Sequence, residues 1–344
     1  MMPRVRKRTV HPSVVGGGFF AYDVLVGTSA QYRAVGGSAG NVLAILAFLG
    51  WRSYPVAHLG KDQAADLIRS EFASLGAVTS FLRSLEIART PVVYQSLHDG
   101  RPSYSFACPI CGSKSARIDP EVADLASDVA DEAPVPQVFF FDRATALNAR
   151  LASHFRNKGS IIVFEPSPKT LDAEFWRCVS LSHVVKYASD RIDSLGGNSA
   201  NFLEIRTDGV EGLRFRMPKS SEWSRLPSIT APFVADTSGS GDWCTAGALY
   251  WFMRAGLATH RASQQEVSSA LRFGQALAAM NCMFEGARAM ASSRDAEDLV
   301  DVARQLMDNH NAEEDSIEIP ALRAWQEMIG PGWTDPLCCK QLAL

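Results

Sequence analysis

The sequence predicts an α/β protein whose central, mostly parallel sheet is flanked by helices on both faces, with a small β-sheet lid beside it. Three observations predict this. Short β-branched runs alternate with helix-length runs along most of the chain. Two glycine-rich turns, "GGSAGN" at 36–41 and "DTSGSGD" at 236–242, each lead directly into an apolar helical stretch. Two segments, at about 24–36 and 90–110, break the alternation with polar and aromatic patterns that suit a half-exposed sheet.

Taken in order, "VVGGGFF" reads as the first strand and "NVLAILAFLG" as a helix stopped by Gly50. "SYPVAHLG" is a strand, and "KDQAADLIRSEFASLGA" is an amphipathic helix ending near Gly76. "TPVVYQSLHDGRPSYSFAC" reads as two strands around "HDGRP". Residues 109–136 are rich in Pro, Ser and Asp and are expected to be irregular, with one short helix. "QVFFFD" is a strand whose end, Asp142–Arg143, falls at the carboxyl edge of the sheet, and "ATALNARLASHFRNKG" is a helix stopped by Gly159. "SIIVFEP" and "LSHVVKY" have the apolar, β-branched character of buried strands. "NFLEIRT" and "GLRFRMP" are short strands around the turn "DGVEG". "GDWCTAGALYWFMRAG" and "EVSSALRFGQALAAMNCMF" are long helices. From about Asn311 the chain reads as an appendage, which gives one domain over 1–310 and a C-terminal extension over 311–344.

Charge and composition narrow the partners. With 34 Lys+Arg against 37 Asp+Glu, the net charge of −3 argues against nucleic acid or an anionic membrane as a general partner. Seven scattered cysteines are odd in number and fit a reducing cytoplasm better than a disulfide framework. Cys108 and Cys111 form "CPIC", half a zinc site or a redox pair. No second Cys-x-x-Cys exists, and Cys338–Cys339 is the other close pair, so these read as plain loop or lid cysteines. The basic start, Arg4 to Arg8, is followed by a stretch broken by Gly16, Gly17, Gly18 and Asp23, which suits a strand and not a signal peptide. No apolar run reaches the roughly 18–20 residues that a membrane-spanning helix needs.

The chemistry concentrates in "DTSGSGD". A Gly-Ser-Gly turn lets the backbone approach a ligand closely, and the helix after it offers free N–H groups and the positive end of its dipole. That combination binds anions, phosphate above all. Phosphoryl transfer needs such donors and also a base for the attacking hydroxyl. Asp242, in the first turn of the helix, suits the base; the same residue also suits a helix cap. In "GGSAGN", Asn41 is either a helix cap or an amide that bonds a polyol. Asp23, in an apolar strand region, either faces solvent at a strand end or bonds ligand hydroxyls. Lys186 ends a strand, where a lysine more often faces solvent than phosphate.

These segments together resemble the ribokinase, or PfkB, family of carbohydrate and nucleoside kinases over most of residues 13–300. "GGSAGN" is similar to the family's N-terminal signature. "ADTSGSGDWCTAGAL" resembles its C-terminal signature, and the two stand in the family's order. The resemblance implies a ribokinase-like fold and transfer of the ATP γ-phosphate to a hydroxyl of a small sugar. It implies Asp242 as base and the backbone of Gly239, Ser240 and Gly241 as anion hole. Asp23, Gly37 and Asn41 would bind the substrate's hydroxyls. "IRTDGVEG" resembles the nucleotide-binding turn, which puts Thr207, Gly209 and Gly212 near ATP. Asp236 would sit by a monovalent-cation loop completed by "FEGAR" at 284–288, with K+ as the ion. Mg2+ would accompany ATP, and two subunits would pair through the lid. The departures are specific. The family's Asn-x-x-Glu is replaced by "SDRI", so Ser189 stands for the Asn and Ile192 for the Glu that organises magnesium; Asp190 and Asp193 stand nearby at other spacings. Trp243 and Cys244 replace the commoner small residue and Phe after the base. A nucleoside kinase of the same family, with lid aromatics Tyr32, Tyr104 and Phe106 stacking on a base, is the close alternative. A catalytically weak binding or regulatory protein on this scaffold is the distant one.

Overall fold

A computed structural model describes residues 11–26, 33–86, 89–98, 101–114, 124–166, 171–196, 201–256, 262–310 and 338–342. The basic start Arg4–Arg8, the aromatic Tyr32 and most of the C-terminal extension lie outside these residues.

The strands in chain order are β1 (Ser13–Gly17), β2 (Ala21–Val26), β3 (Arg33–Gly36), β4 (Arg52–Leu59), β5 (Leu82–Ser84), β6 (Val92–His98) and β7 (Arg101–Ser105). They continue with β8 (Val138–Phe141), β9 (Ile161–Phe164), β10 (Val184–Ala188), β11 (Leu203–Thr207), β12 (Leu213–Arg216) and β13 (Ser224–Leu226). The helices are α1 (Ser38–Phe48), α2 (Gln63–Ser74), α3 (Asp124–Glu132), α4 (Ala146–Asn157) and α5 (Ala173–Leu181). After them come α6 (Ser240–Arg254), α7 (Gln264–Asn281), α8 (Ala289–Ser293) and α9 (Ala296–His310).

Among the described residues, nine strands form one sheet in the order β13-β12-β11-β10-β9-β8-β1-β4-β5. The run from β11 to β5 is parallel, and β12 and β13 add an antiparallel edge. Four strands form a separate sheet in the order β3-β2-β6-β7. The run expected as one strand, "VVGGGFF", is therefore two environments: β1 ends at Gly17 inside the large sheet, and β2 begins the small one at Ala21.

Burial on both faces explains the apolar strands. Successive side chains of a strand point to opposite faces, so in β8 Phe140 enters the core on one face while Phe139 and Phe141 enter the core on the other. The first core holds Leu43, Trp243 and Phe273, and the second holds Phe155, Phe164 and Phe175. Helix α5 has no counterpart in the sequence reading, yet topology requires a connection of that kind. β9 and β10 are parallel neighbours, and a parallel pair needs a crossover, usually a helix. Asp172 starts it by accepting the N–H of Phe175 at 2.8 Å.

The described end of the chain is packed against the body. Leu342 is buried in the first core, and its carbonyl accepts the N–H of Ala64 at the start of α2. Among the described residues no helix is long and apolar enough to cross a membrane.

Candidate active site

The second glycine-rich turn is set by Gly239, which adopts φ 72° as it opens α6. A side chain there would be strained, and its first carbon would lie 2.4 Å from the carbonyl oxygen of Ala287. No side chain caps α6. The cap reading of Asp242 therefore fails. Its Oδ2 instead accepts a hydrogen bond from the Asn41 amide at 2.8 Å. Asn41 does not cap either, because α1 opens at Gly37 with no side-chain cap. Among the described residues no side-chain cap meets the start of α6, so its first-turn amides lie at the positive end of a 15-residue helix.

Asp242 is almost fully buried. Burial pushes its carboxyl up to about 7, and the negative charge of Glu165 adds to the rise; the Asn41 hydrogen bond and Lys186 oppose it. A carboxyl near 7 can both hold and release a proton at neutral pH.

A polar chain runs from Asp242 into the small sheet. Arg288 donates from Nε to Asn41 Oδ1 at 3.1 Å and from Nη2 to the Val35 carbonyl at 2.7 Å and Glu71 Oε1 at 2.5 Å. Glu71 also accepts the Val35 N–H at 2.6 Å. Asp23 lies beside them in β2, opposite Ala34 of β3. Burial pushes its carboxyl up to about 7 although Arg288 pulls it down. Asp23 faces inward, so the solvent-facing alternative fails. Gly36 is needed here for space: a Cβ would lie 1.9 Å from the Asp23 carboxyl carbon. Gly36→Ala is expected to displace that carboxylate or β3 and to destabilise the fold by about 1–3 kcal/mol. Thermal melting and ligand titration of the variant measure both effects.

On the other side of the turn sits a buried ion pair. Lys186 Nζ pairs with Glu165 and also donates to the Gly241 carbonyl at 3.1 Å. Glu165 accepts in addition from the Thr245 hydroxyl at 2.5 Å. Lys186 is 4% exposed, which corrects the expectation of a solvent-facing lysine. Burial works against its charge, but Glu165, together with Cys244 and Asp242, outweighs it, so its ammonium is held above the ordinary range. Asp142 completes the floor. It is fully buried and accepts the Phe19 N–H at 2.8 Å and a bond from Arg143 at 2.8 Å.

Asp236 joins three segments. Its Oδ1 accepts the N–H and hydroxyl of Ser238 at 2.9 and 2.7 Å. Its Oδ2 accepts Gln95 Nε2 at 2.7 Å and the Gly286 N–H at 2.8 Å. A carboxylate has about four acceptor sites, and these donors fill them. The side chain therefore does not fit a monovalent cation ligand; it ties the turn to β6 and to the "FEGAR" loop. Tyr104 of β7 adds a bond from its hydroxyl to Ser238 Oγ at 2.9 Å.

The expected nucleotide turn lies two strands along from Glu165. Thr207 ends β11, level with Ala188 of β10. Gly209 and Gly212 both have positive φ and bracket a single 3-10 turn. Beside it opens a cleft of about 410 Å³ lined by Ser189, Asp208, Glu211, Arg214 and Arg225. Asp208 pairs with Arg214 across it at 2.9 Å.

No family model matches the chain. Comparison with solved structures finds a fructokinase from Xylella fastidiosa with bound ATP, at TM-score 0.66 and 21% identity, covering 85% of this chain and 98% of that one. This is the ribokinase-like fold. A nucleoside kinase from Burkholderia thailandensis in complex with inosine superposes on the same ribokinase-like frame at TM-score 0.62 and 17% identity, covering 84% and 97% of the two chains. Among curated proteins, an ATP-dependent ribose-1-phosphate kinase from Halopiger xanaduensis is 24% identical over 280 residues, 75% of this chain and 84% of that protein. Sequence and structure thus both resemble the ribokinase family of sugar and nucleoside kinases.

Within the ribokinase-like frame the structure gathers Asp23, Asn41, Asp242 and the Gly239–Gly241 turn into one site. Gly37 opens α1 beside them, with Phe19 packed against it. Thr207, Gly209 and Gly212 lie apart, at the far end of β11. ATP chemistry ordinarily brings a magnesium ion. At 189–192 the position expected for a glutamate is Ile192, which is buried in the second core and offers no ligand, while Asp190 and Asp193 stand exposed beside it. The sequence reading missed Glu165 and Glu71 and did not single out Arg288. Glu165 had a signal, an acid directly after the buried run "SIIVF". Glu71 had none, since it sits on an ordinary amphipathic helix.

Proposed function

We propose that the chain is an ATP-dependent phosphotransferase that moves the γ-phosphate to a hydroxyl of a small sugar. The observation that carries this reading is Asp242: a buried carboxyl held near neutral pKa, oriented by Asn41, at the mouth of an uncapped glycine turn. Asp242 takes the proton from the attacking hydroxyl. The backbone N–H groups of Gly239, Ser240 and Gly241 stabilise the negative charge on the transferred group. Lys186 supplies a fixed positive charge behind that turn. Asp23 and Asn41, with Arg288 and Glu71 holding the amide in place, bond the substrate's hydroxyls. ATP lies toward Thr207, Gly209 and Gly212, so that its terminal phosphate reaches the turn. The likeness to sugar and nucleoside kinases supports the class of reaction.

The test is ATP turnover against a panel of sugars and nucleosides, preceded by thermal shift. A ligand at about 100 times its Kd stabilises by about 2.7 kcal/mol, enough to find it. Turnover of a nucleoside but of no free sugar would replace the sugar assignment. Binding of a ligand with no turnover of any would replace the kinase assignment.

The pH profile follows from the base. Below a pH of about 7 most Asp242 is protonated and cannot accept the proton. The expected kcat falls by about tenfold per pH unit on the acid side and is level above it. A flat profile from pH 5 to 8, with the chemical step limiting, would remove Asp242 from this role.

A further inference from the structure

Four sulfur atoms converge where the small sheet meets the end of the chain. Cys108 and Cys111 come from the turn after β7, and Cys338 and Cys339 from the last described turn. Their Sγ atoms all lie within 4.8 Å of one another. Cys111 and Cys339 are 3.4 Å apart, and Cys108 and Cys338 are 3.9 Å apart. The two pairs that looked unrelated in sequence are therefore one cluster.

The geometry matches one small tetrahedral ion. A zinc–sulfur bond of about 2.3 Å places tetrahedral sulfurs roughly 3.8 Å apart. The hydrogen bonds match as well. Cys108 Sγ accepts the N–H of Cys339 at 3.5 Å, along with backbone donors from Ile110 and Cys111 and the hydroxyl of Tyr94. Donors converging on a sulfur favour the thiolate, the form that binds metal. Cys108 is 2% exposed, and the other three are half-buried. Four thiolates at this spacing repel one another unless a cation sits between them. A soft, tetrahedral four-thiolate set is of the kind that holds zinc in structural sites.

The placement gives the site a purpose. The described C-terminal residues form no helix or strand, and ordering them costs conformational entropy. Beyond the sulfurs, the core holds Leu342 and the Ala64 N–H bonds its carbonyl. On the other side, Tyr94 lies in β6 next to Gln95, which bonds Asp236 and Ser238 ahead of the phosphate turn. From these observations we infer that Cys108, Cys111, Cys338 and Cys339 bind one zinc ion that staples the C-terminal segment to the small sheet. The inference does not depend on the kinase reading.

The test is metal analysis of the full chain, expressed with zinc in the medium and purified under reducing conditions. The expected result is one zinc per chain. Exchange into cobalt gives the visible absorption of a tetrahedral thiolate site. Alkylation followed by peptide mapping shows Cys108, Cys111, Cys338 and Cys339 protected until a chelator is added. The double substitution Cys338→Ser with Cys339→Ser loses the zinc. If that variant fails to fold, the cobalt spectrum and the protection map of the unaltered chain decide the matter. Reduced protein without bound metal overturns the inference. So do disulfides among these cysteines in cells, iron in place of zinc, or zinc retained in full by the double variant.

Discussion

Asp242→Asn is expected to lower kcat by about 10²–10⁴-fold and to leave ATP affinity within about twofold. The side chain keeps its size, and its amide oxygen still accepts the Asn41 bond that orients Asp242 at 2.8 Å. The α6 turn and its N–H groups are untouched. What disappears is a group that can take a proton from the substrate hydroxyl. The loss therefore falls on kcat, and ATP binding by calorimetry stays near the parent value. Equal kcat in parent and variant would take the base role from Asp242. A loss confined to KM would make it a binding residue.

The same substitution reports on stability, and the sign can be worked out. The Asp242 carboxyl is raised from an ordinary 3.8 to about 7. The folded chain then holds this proton more tightly than the unfolded chain does. The group's stabilising contribution is complete below about pH 4 and is lost as pH rises through about 7. At pH 8 the parent carries the cost of a buried charge, on the order of 4 kcal/mol for a shift this size. Asp242→Asn removes it. The variant is expected to melt higher than the parent at pH 8 and level with it near pH 4. Asp23, also raised to about 7, carries a cost of the same sign. Two buried acids with raised carboxyls cost stability at neutral pH, a pattern that clusters at functional sites.

The parts of this site that were legible in the sequence are those carried by local signals. Glycine before a helix is local, so Gly37 with Asn41 and Gly239 with Asp242 were readable as two turns. Their meeting was not, because the Asn41–Asp242 bond depends on how α1 and α6 pack. The alternation of strands and helices gave the large sheet, but α5 lay unnoticed behind "LDAEFW", whose only start signal is one aspartate. Lys186 shows the limit most clearly. It is the middle residue of β10, not the strand end the sequence suggests, and only the Glu165 carboxylate beside it accounts for a buried ammonium there. Cys338 and Cys339 are more than 220 residues from their partners, so no spacing rule applied within one segment could pair them.

Lys186→Met is expected to destabilise the protein by about 3–5 kcal/mol, because it leaves Glu165 as an unpaired buried charge. Glu165 would retain only the Thr245 hydroxyl among its present partners, with Asp242 nearby. Adding Glu165→Met to that variant removes the orphan charge with a side chain of similar length. The double variant should therefore recover most of the lost stability, as buried pairs replaced by apolar groups often do. It should not recover activity, because the fixed positive charge behind the Gly-Ser-Gly turn is gone. Equilibrium denaturation of the three variants measures this as a double-mutant cycle. The pair also tunes the base in opposite directions. Glu165 raises the Asp242 carboxyl and Lys186 lowers it. Glu165→Gln should therefore move the acid limb of the kcat profile to lower pH, and Lys186→Met should move it to higher pH. A role limited to packing would shift neither limb. Opposite shifts would show that the ion pair holds Asp242 at the protonation state the reaction needs, so that its stability and its chemistry come from the same two charges.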